Sequence, residues 1–514
     1  MRERKTIIII GAGVAGLSAG IYAEQNGFNA VILEKNPNVG GLCTGWMRKG
    51  FEIDGCIHWL TGTNPNNCLY ETWRNVGAFK DQNDIHTPES WGSFEYDGKK
   101  VVLWADTERA EKEWVEIAPE DIKQIKKFFK LVRDIASVQL PLQAPTSMLP
   151  AKEIFKLVFS AVKVLPNYVG SMTISCEKYA KRFKNPAIKY AITHAQPGPG
   201  NLYSMVYSYA TIVNKDGGVP FGGAKYMTLN MADKFTSLGG VLKTTCPVSH
   251  IITKNNTAIG VKLENGLKIY GDYVISAVDA GFTLNRLLLG QYNDNSFNKR
   301  FNDFHKYSCP TCCYISLAIE DLPEFVSPLN FALDEPIMVG TREIDTINMR
   351  SYTFDKTFSR GNKEVVTVLI DQYGDDYDFW NHLYSQGKDV YNKAKRNIAE
   401  LVVSKILAKF PSLVGKIDIL DVVTPRTYKN YCNSTKGAYM SFLFNEKTGL
   451  FNHNGKIRGL KNFYLGSQWV QGPGGLPLAL AGGKFAIQRI CKKENISYMF
   501  NYYKRKSKKV INKI

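Results

Sequence analysis

Thr6-Ile7-Ile8-Ile9-Ile10-Gly11-Ala12-Gly13-Val14-Ala15-Gly16, with Glu34 closing the next apolar run, decides the fold of this 514-residue chain. An apolar strand enters a glycine turn. A helix is expected to leave it over residues 14–26, to stop at Gly27, and to be followed by a second strand, Asn29–Leu33. The glycines differ in purpose. Gly11 permits the tight turn, Gly13 lets the backbone approach a pyrophosphate, and Gly16 lets helix and strand pack closely. The N–H groups of the helix's first turn would then face the phosphates. Glu34 lies at the spacing of the acid that accepts ribose hydroxyls; Lys35 is next to it, but an acid there favours an unphosphorylated ribose. The competing reading, a secretory signal peptide after the basic start Met1-Arg2-Glu3-Arg4-Lys5, needs a cleavage site and has no use for Glu34.

The residues beyond Glu34 separate a flavin from a nicotinamide nucleotide. Asn38-Val39-Gly40-Gly41-Leu42-Cys43 places two more glycines past the second strand, and Asp54-Gly55-Cys56-Ile57-His58-Trp59 comes soon after. Near the C-terminus, Asn462-Phe463-Tyr464-Leu465-Gly466-Ser467 runs into Gly472-Pro473-Gly474-Gly475-Leu476-Pro477, again a strand, a glycine turn and a small-residue helix. Together these stretches resemble the phytoene desaturase, carotenoid isomerase and retinol saturase group of FAD-dependent oxidoreductases. The resemblance implies an α/β fold: a Rossmann-type FAD-binding domain built from discontinuous segments, with an inserted α+β substrate domain. It also implies that Gly11, Gly13, Gly16, Glu34, Gly40, Gly41, Gly466, Gly474, Gly475 and Leu476 contact FAD, joined by Lys35 and Leu42 beside them. In that family the backbone at the position of Val248 pairs with the adenine; a buried Val248 side chain is compatible with that role. One departure stands out: Gly466-Ser467 occupies a place where many such flavoproteins have Gly-Asp. No second complete strand–turn–helix unit for a nicotinamide nucleotide is apparent, and Gln196-Pro197-Gly198-Pro199-Gly200 is proline-broken. The electron donor or acceptor therefore stays unidentified, as does the oligomeric state.

Three separated pieces, 1–75, 215–290 and 415–500, are assigned to the FAD-binding domain, and 76–214 with 291–414 to the substrate domain. Helices are expected over 120–135, 177–192 and 390–410, and strands over 312–317 and 364–370. The stretch 241–277, with Asn255-Asn256 and Asn265-Gly266 turns, reads as a strand and then a meander returning to the main sheet.

A hydrophobic content of 44% is that of a globular protein, and no run of 18 uncharged apolar residues suggests a spanning helix. The expected location is cytoplasmic with peripheral membrane association. The net charge of +18 carries no nucleic-acid-reading motif with it. An anionic membrane surface suits it better: the basic tail 501–514 sets Tyr502-Tyr503 beside a lysine-arginine cluster, at about 1 kcal/mol per cation near anionic lipid. The segment 150–170, apolar with isolated lysines, could lie in the headgroup plane; a packed helix is the alternative. The ten cysteines form no disulfide framework, and Cys309-Pro310-Thr311-Cys312-Cys313 reads as buried thiols before a redox pair. No metal site is expected from the seven histidines.

A flavin exchanges hydride at N5 while the protein supplies position, polarity and exclusion of water. Desaturation of an isoprenoid or acyl chain then demands little more than an apolar tunnel; saturation of a conjugated bond also needs a proton. His58 is the candidate catalytic residue, as proton donor or as a polar group tuning the flavin, with backbone hydrogen bonding as its plainer role. Trp59 and Trp469 are candidates to line the cavity or to pack in the core. The expected substrate is a lipophilic polyene, isoprenoid or fatty acyl chain. The alternatives are a flavin amine oxidase, or a non-catalytic lipid-binding escort of the same fold.

Overall fold

The computed structural model describes residues 4–137, 142–152, 165–196 and 200–498. The basic tail and almost all of the apolar stretch 154–165 lie outside the described residues, and with them the expected membrane-contacting features.

Thr6–Ile10 lies at the centre of a five-stranded sheet in the order Val241–Lys243, Asn29–Leu33, Thr6–Ile10, Tyr273–Ser276, Phe463–Leu465. Every pairing is parallel, with Ile9 opposite Ile32 on one side and Ile275 on the other. A parallel sheet is covered on both faces, which is why its strands are continuously apolar. Ile7 and Ile9 point to one face, against Leu17, Ile21, Phe235 and Ile487 of three helices, Val14–Gln25, Gly223–Ser237 and Leu476–Lys493. Ile8 and Ile10 point to the other, against Val248, Ile251 and Val261 of the antiparallel meander Val248–Lys254, Thr257–Leu263, Lys268–Tyr270. Strands from three distant stretches of chain thus share one core.

Small residues let the first and last helices touch. A Cβ on Gly16 would lie 1.9 Å from the Gly11 carbonyl oxygen, and one on Gly483 would lie 2.1 Å from that of Ala15. Ser18 Oγ donates to the Leu480 carbonyl at 2.8 Å across the same crossing.

The second unit is a larger, mostly antiparallel sheet: Ile417–Val423, Thr311–Glu320, Lys363–Gln372, Arg342–Ser351, Leu329–Val339, Ser90–Tyr96 and Lys99–Trp104, with Ser359–Arg360 at its margin. Helix Lys388–Lys409 packs Val402 and Ile406 on one face, over Ile347, Met349 and Val368. A separate helical layer, including Ile122–Ala136 and Leu202–Val213, closes around Trp114, Phe128 and Phe129. Two sequence expectations need revision. The helix expected over 177–192 divides into Cys176–Ala180 and Pro186–His194, because Pro186 cannot continue a helix and Asn185 caps the second one through its side chain, accepting from Ala187 N at 3.0 Å. Ile417–Val423 pairs antiparallel with Thr311–Glu320, so the large sheet extends past the boundary placed at 415. The chain returns towards the parallel sheet only near Thr435, whose Oγ1 donates to Asp279 at 2.6 Å. Among the described residues, no helix is long and apolar enough to cross a membrane.

Candidate functional site

The N-terminal turn brings together the groups a nucleotide needs. Gly13 is the N-cap of helix Val14–Gln25 and no side chain caps it, so the first-turn N–H groups face outward beyond the turn. Glu34 is 5% exposed; Oε2 accepts from Ala12 N at 2.8 Å and Oε1 from Asn36 N at 2.9 Å, which fixes the carboxylate beside the glycines. Gly40 N donates to the Ala12 carbonyl at 2.9 Å, and Gly13 and Gly40 form a parallel bridge, so the double glycine lies against the turn. Cys246 N donates to the Glu34 carbonyl at 2.8 Å, bringing the backbone next to Val248 alongside the acid while the Val248 side chain stays in the core.

Gly13 differs from its neighbours. Gly11 and Gly16 are demanded by packing, since a Cβ would meet Val278 Cγ1 at 2.6 Å or the Gly11 carbonyl oxygen at 1.9 Å. At Gly13, φ is −74° and a Cβ would come no nearer than 3.6 Å to any atom of the chain. The fold therefore does not require glycine there. A Cβ there would stand in ordinary contact with the Gly40 carbonyl and Gly41 Cα, beside the helix N-terminus that a pyrophosphate approaches in this motif.

The C-terminal turn closes on the same region. Gly475 is the N-cap of helix Leu476–Lys493, again without a side-chain cap, and its N–H donates to Gln468 Oε1 at 2.7 Å. Gly474 and Gly475 have φ of +88° and +92°, which a side chain would oppose. The carboxylate missing at Ser467 is not replaced by a free hydroxyl: Ser467 is buried and its Oγ accepts from Trp469 N at 3.4 Å. Gly466 is held by packing, with its N–H on the Ser276 carbonyl at 2.9 Å and a Cβ position 2.8 Å from Ile275. Leu42 and Leu476 are partly buried, Leu476 against the helical core. Lys35 reaches away from the turn, Nζ donating to the Asn430 carbonyl at 2.9 Å. Two uncapped helix ends, a buried carboxylate and the slender backbone at Gly13 fit the diphosphate and ribose of a dinucleotide.

His58 comes at the end of a loop tied down by Asp54. Cys56 N and Ile57 N donate to Asp54 Oδ1 at 2.7 and 2.8 Å, and Ala224 N to Oδ2 at 2.6 Å. Burial pushes the Asp54 carboxyl up to about 6 despite these bonds. Beyond the loop, His58 stacks on Tyr314 with ring centroids 6.1 Å apart, and Tyr314 Oη donates to the Asp54 carbonyl at 3.0 Å. Burial, and then the Arg350 guanidinium, hold the His58 imidazole well below its ordinary value, so it is neutral at neutral pH.

His58 and Trp59 line a cavity of about 1220 Å³, larger than the roughly 300–1,000 Å³ usual for small-ligand pockets. Trp59 meets Trp91 edge-on at 4.5 Å to form an aromatic wall with Phe94. Trp469 belongs to the core instead, packed against Phe301 and Phe442. The free face of the large sheet closes the cavity with Asn330, Asn348, Arg350 and Leu369. None of these four was found from sequence; the alternation along Arg342–Ser351 could have placed Thr346, Asn348 and Arg350 on one face, but not in a cavity with His58. Cys309, Cys312 and Cys313 are buried free thiols, each pushed up by burial, which is not the environment of a redox pair. Among the described residues no group of three or more His, Cys, Asp or Glu side chains could hold a metal.

Comparison with known proteins agrees with this geometry. A family model described as an NAD(P)-binding Rossmann-like domain matches residues 9–76. The chain is 22% identical over 521 residues to a 4,4'-diapophytoene desaturase (4,4'-diapolycopene-forming) of Methylomonas sp, covering 97% of each chain. It is 20% identical over 459 residues to an inactive all-trans-retinol 13,14-reductase of Danio rerio, covering 82% of this chain and 74% of that one. In fold it matches cyclohexylamine oxidase from Brevibacterium oxydans with a TM-score of 0.55, at 13% identity, over 96% of this chain and 100% of the other. The similarity to the desaturase and retinol saturase group, carried in the sequence by short motifs, thus extends over nearly the whole length.

Proposed function

We propose that this chain is an FAD-dependent oxidoreductase acting on carbon–carbon bonds of a lipophilic polyene, isoprenoid or fatty acyl substrate. The observation that carries the reading is Gly13: the fold would accept a Cβ there, beside an uncapped helix end, so only a ligand gives glycine a purpose. The parallel sheet and its meander form the FAD unit, and the large sheet with its helices forms the substrate unit. Gly13, Gly40 and Gly41 would accommodate the diphosphate, Glu34 the adenosine ribose, the backbone beside Val248 the adenine, and the Gly474-Gly475-Leu476 turn the flavin end. Bound FAD supplies two-electron hydride chemistry.

The chain's own residues supply the rest. Trp59, Trp91 and Phe94 offer an apolar wall for a long unsaturated chain and displace water from it. Asp54 fixes the loop that carries His58. A neutral imidazole is a proton acceptor, so His58 suits removal of the proton that accompanies desaturation, and returns it in the opposite direction. Association with an anionic membrane surface, from which such a substrate would be drawn, is favoured by the net charge of +18.

Reconstitution with FAD, photoreduction without oxygen, and incubation with polyenes, retinoids and unsaturated acids tests the proposal. Reoxidation of the flavin by a member of this panel is the expected result. A protein that stays colourless after reconstitution would mark a lipid escort. Hydrogen peroxide release with amines, and no response to the panel, would mark an amine oxidase.

A further inference from the structure

Strand Arg342–Ser351 alternates. Ile347 and Met349 enter the core beneath helix Lys388–Lys409, while Thr346, Asn348 and Arg350 face the cavity. Other cations at the cavity are paired or stand in solvent. Lys178 meets Glu446 at 3.0 Å, Arg342 meets Asp376 at 2.6 Å, and His194 meets Asp345 at 3.4 Å. Lys306 and Lys447 are exposed at the rim.

Arg350 is different. It is partly buried, and among the described residues no carboxylate lies within ion-pair range of it. Its hydrogen bond runs from Nη1 to the His58 carbonyl at 3.3 Å, which leaves most of the guanidinium's donors unused. Burial lowers its affinity for its proton. The Asp54 carboxylate acts on it only through space, without an ion pair, its oxygens being bonded to three backbone N–H groups. Beside Arg350 the polar surface continues: Asn348 Nδ2 donates to Asn330 Oδ1 at 2.7 Å, and Asn330 Nδ2 to the Ser93 carbonyl at 3.1 Å. A partly buried guanidinium without an ion-pair partner is costly, and a planar fork of N–H groups matches a carboxylate in shape and charge. A hydrocarbon polyene has no group to place there.

We propose that the substrate is an amphiphilic acid whose carboxylate docks on Arg350, its apolar body lying along Trp59, Trp91 and Phe94. This rests on the oxidoreductase reading and narrows its substrate class from lipophilic polyenes, isoprenoids and fatty acyl chains in general to long-chain unsaturated acids. Monoanionic charge suits a single guanidinium; a phosphate or diphosphate head would need further unpaired cations, and the other basic groups of the cavity are engaged or at its rim.

The test is a fluorescence titration of the FAD-reconstituted protein with cis-parinaric acid, its methyl ester and the phosphate monoester of the corresponding alcohol. The acid is expected to bind about 30-fold tighter than the ester. Arg350→Gln should remove that preference, leaving the ester within about twofold of its wild-type affinity, and Arg350→Lys should restore part of it. Flavin content and melting temperature show whether each variant is folded. Equal binding of acid and ester by the wild-type protein overturns the proposal. So does tighter binding of the phosphate ester, or equal losses for acid and ester in Arg350→Gln. Because the titration needs no turnover, a retained acid preference in a protein that reduces or oxidises no polyene would refute only the redox reading.

Discussion

In the proposed reading, the parallel-sheet unit and the cavity beneath the large sheet recognise their ligands by different means. On the first side the chemistry belongs to the backbone: N–H groups at two helix ends, beside glycines whose lack of a side chain is the functional property. On the second side it belongs to side chains, His58, Asn348 and Arg350, displayed by a loop and by alternate positions of a strand 292 residues away. Backbone recognition needs several consecutive residues in one conformation and so shows in the chain as a contiguous motif. Side-chain recognition needs single residues from elements that happen to be adjacent, and leaves no local pattern.

The contrast can be broken most decisively at Gly13. Gly13→Ala adds only a Cβ in ordinary contact with Gly40 and Gly41, so it should leave melting of the flavin-free protein nearly unchanged and sharply weaken flavin retention. Full flavin occupancy in that variant would show that the turn does not hold the diphosphate. On the side-chain half, His58→Ala should keep its flavin and slow turnover by about 100-fold or more, the scale of general acid–base catalysis. Unaltered turnover would remove His58 from the chemistry. Gly483→Leu should cost about 3 kcal/mol in urea unfolding by forcing apart the helices that bring the two turns together; no loss would mean they do not cross there.

A smaller, pH-dependent effect belongs to Asp54, at the seam between the two regions. Its carboxyl is raised from 3.8 to about 6, so the folded protein holds this proton to higher pH than the unfolded chain. The group's contribution to stability is full below about pH 4 and is lost as pH rises through 6. The stability difference between Asp54→Asn and the parent should therefore move in the variant's favour by about 2–3 kcal/mol from pH 4 to 7. A difference that stays flat across that range would deny the shift.

Much of the cofactor side was legible in the chain. The helix at residues 14–26 is observed as Val14–Gln25, and the strand Asn29–Leu33 and the meander over 248–270 stand where their periodicity and turn residues put them. The break at Pro186 is a proline signal that outweighs an apolar period, and Ile417–Val423 joins the large sheet although 415–500 is expected in the FAD-binding domain, because a domain boundary read from sequence does not name a strand's partner. Lys35 shows the limit of adjacency: it neighbours the ribose acid in sequence, yet its ammonium is held by Asn430.

Composition and motif alone determined that the chain folds around a glycine turn fit for a nucleotide, because close backbone approach and an uncapped helix end are local properties of consecutive residues. Only the tertiary structure decided which side chains share the cavity, that Arg350 stands there without an ion-pair partner among the described residues, and that His58 is neutral. Burial and long-range charge depend on what packs nearby, and that is settled by how distant strands align.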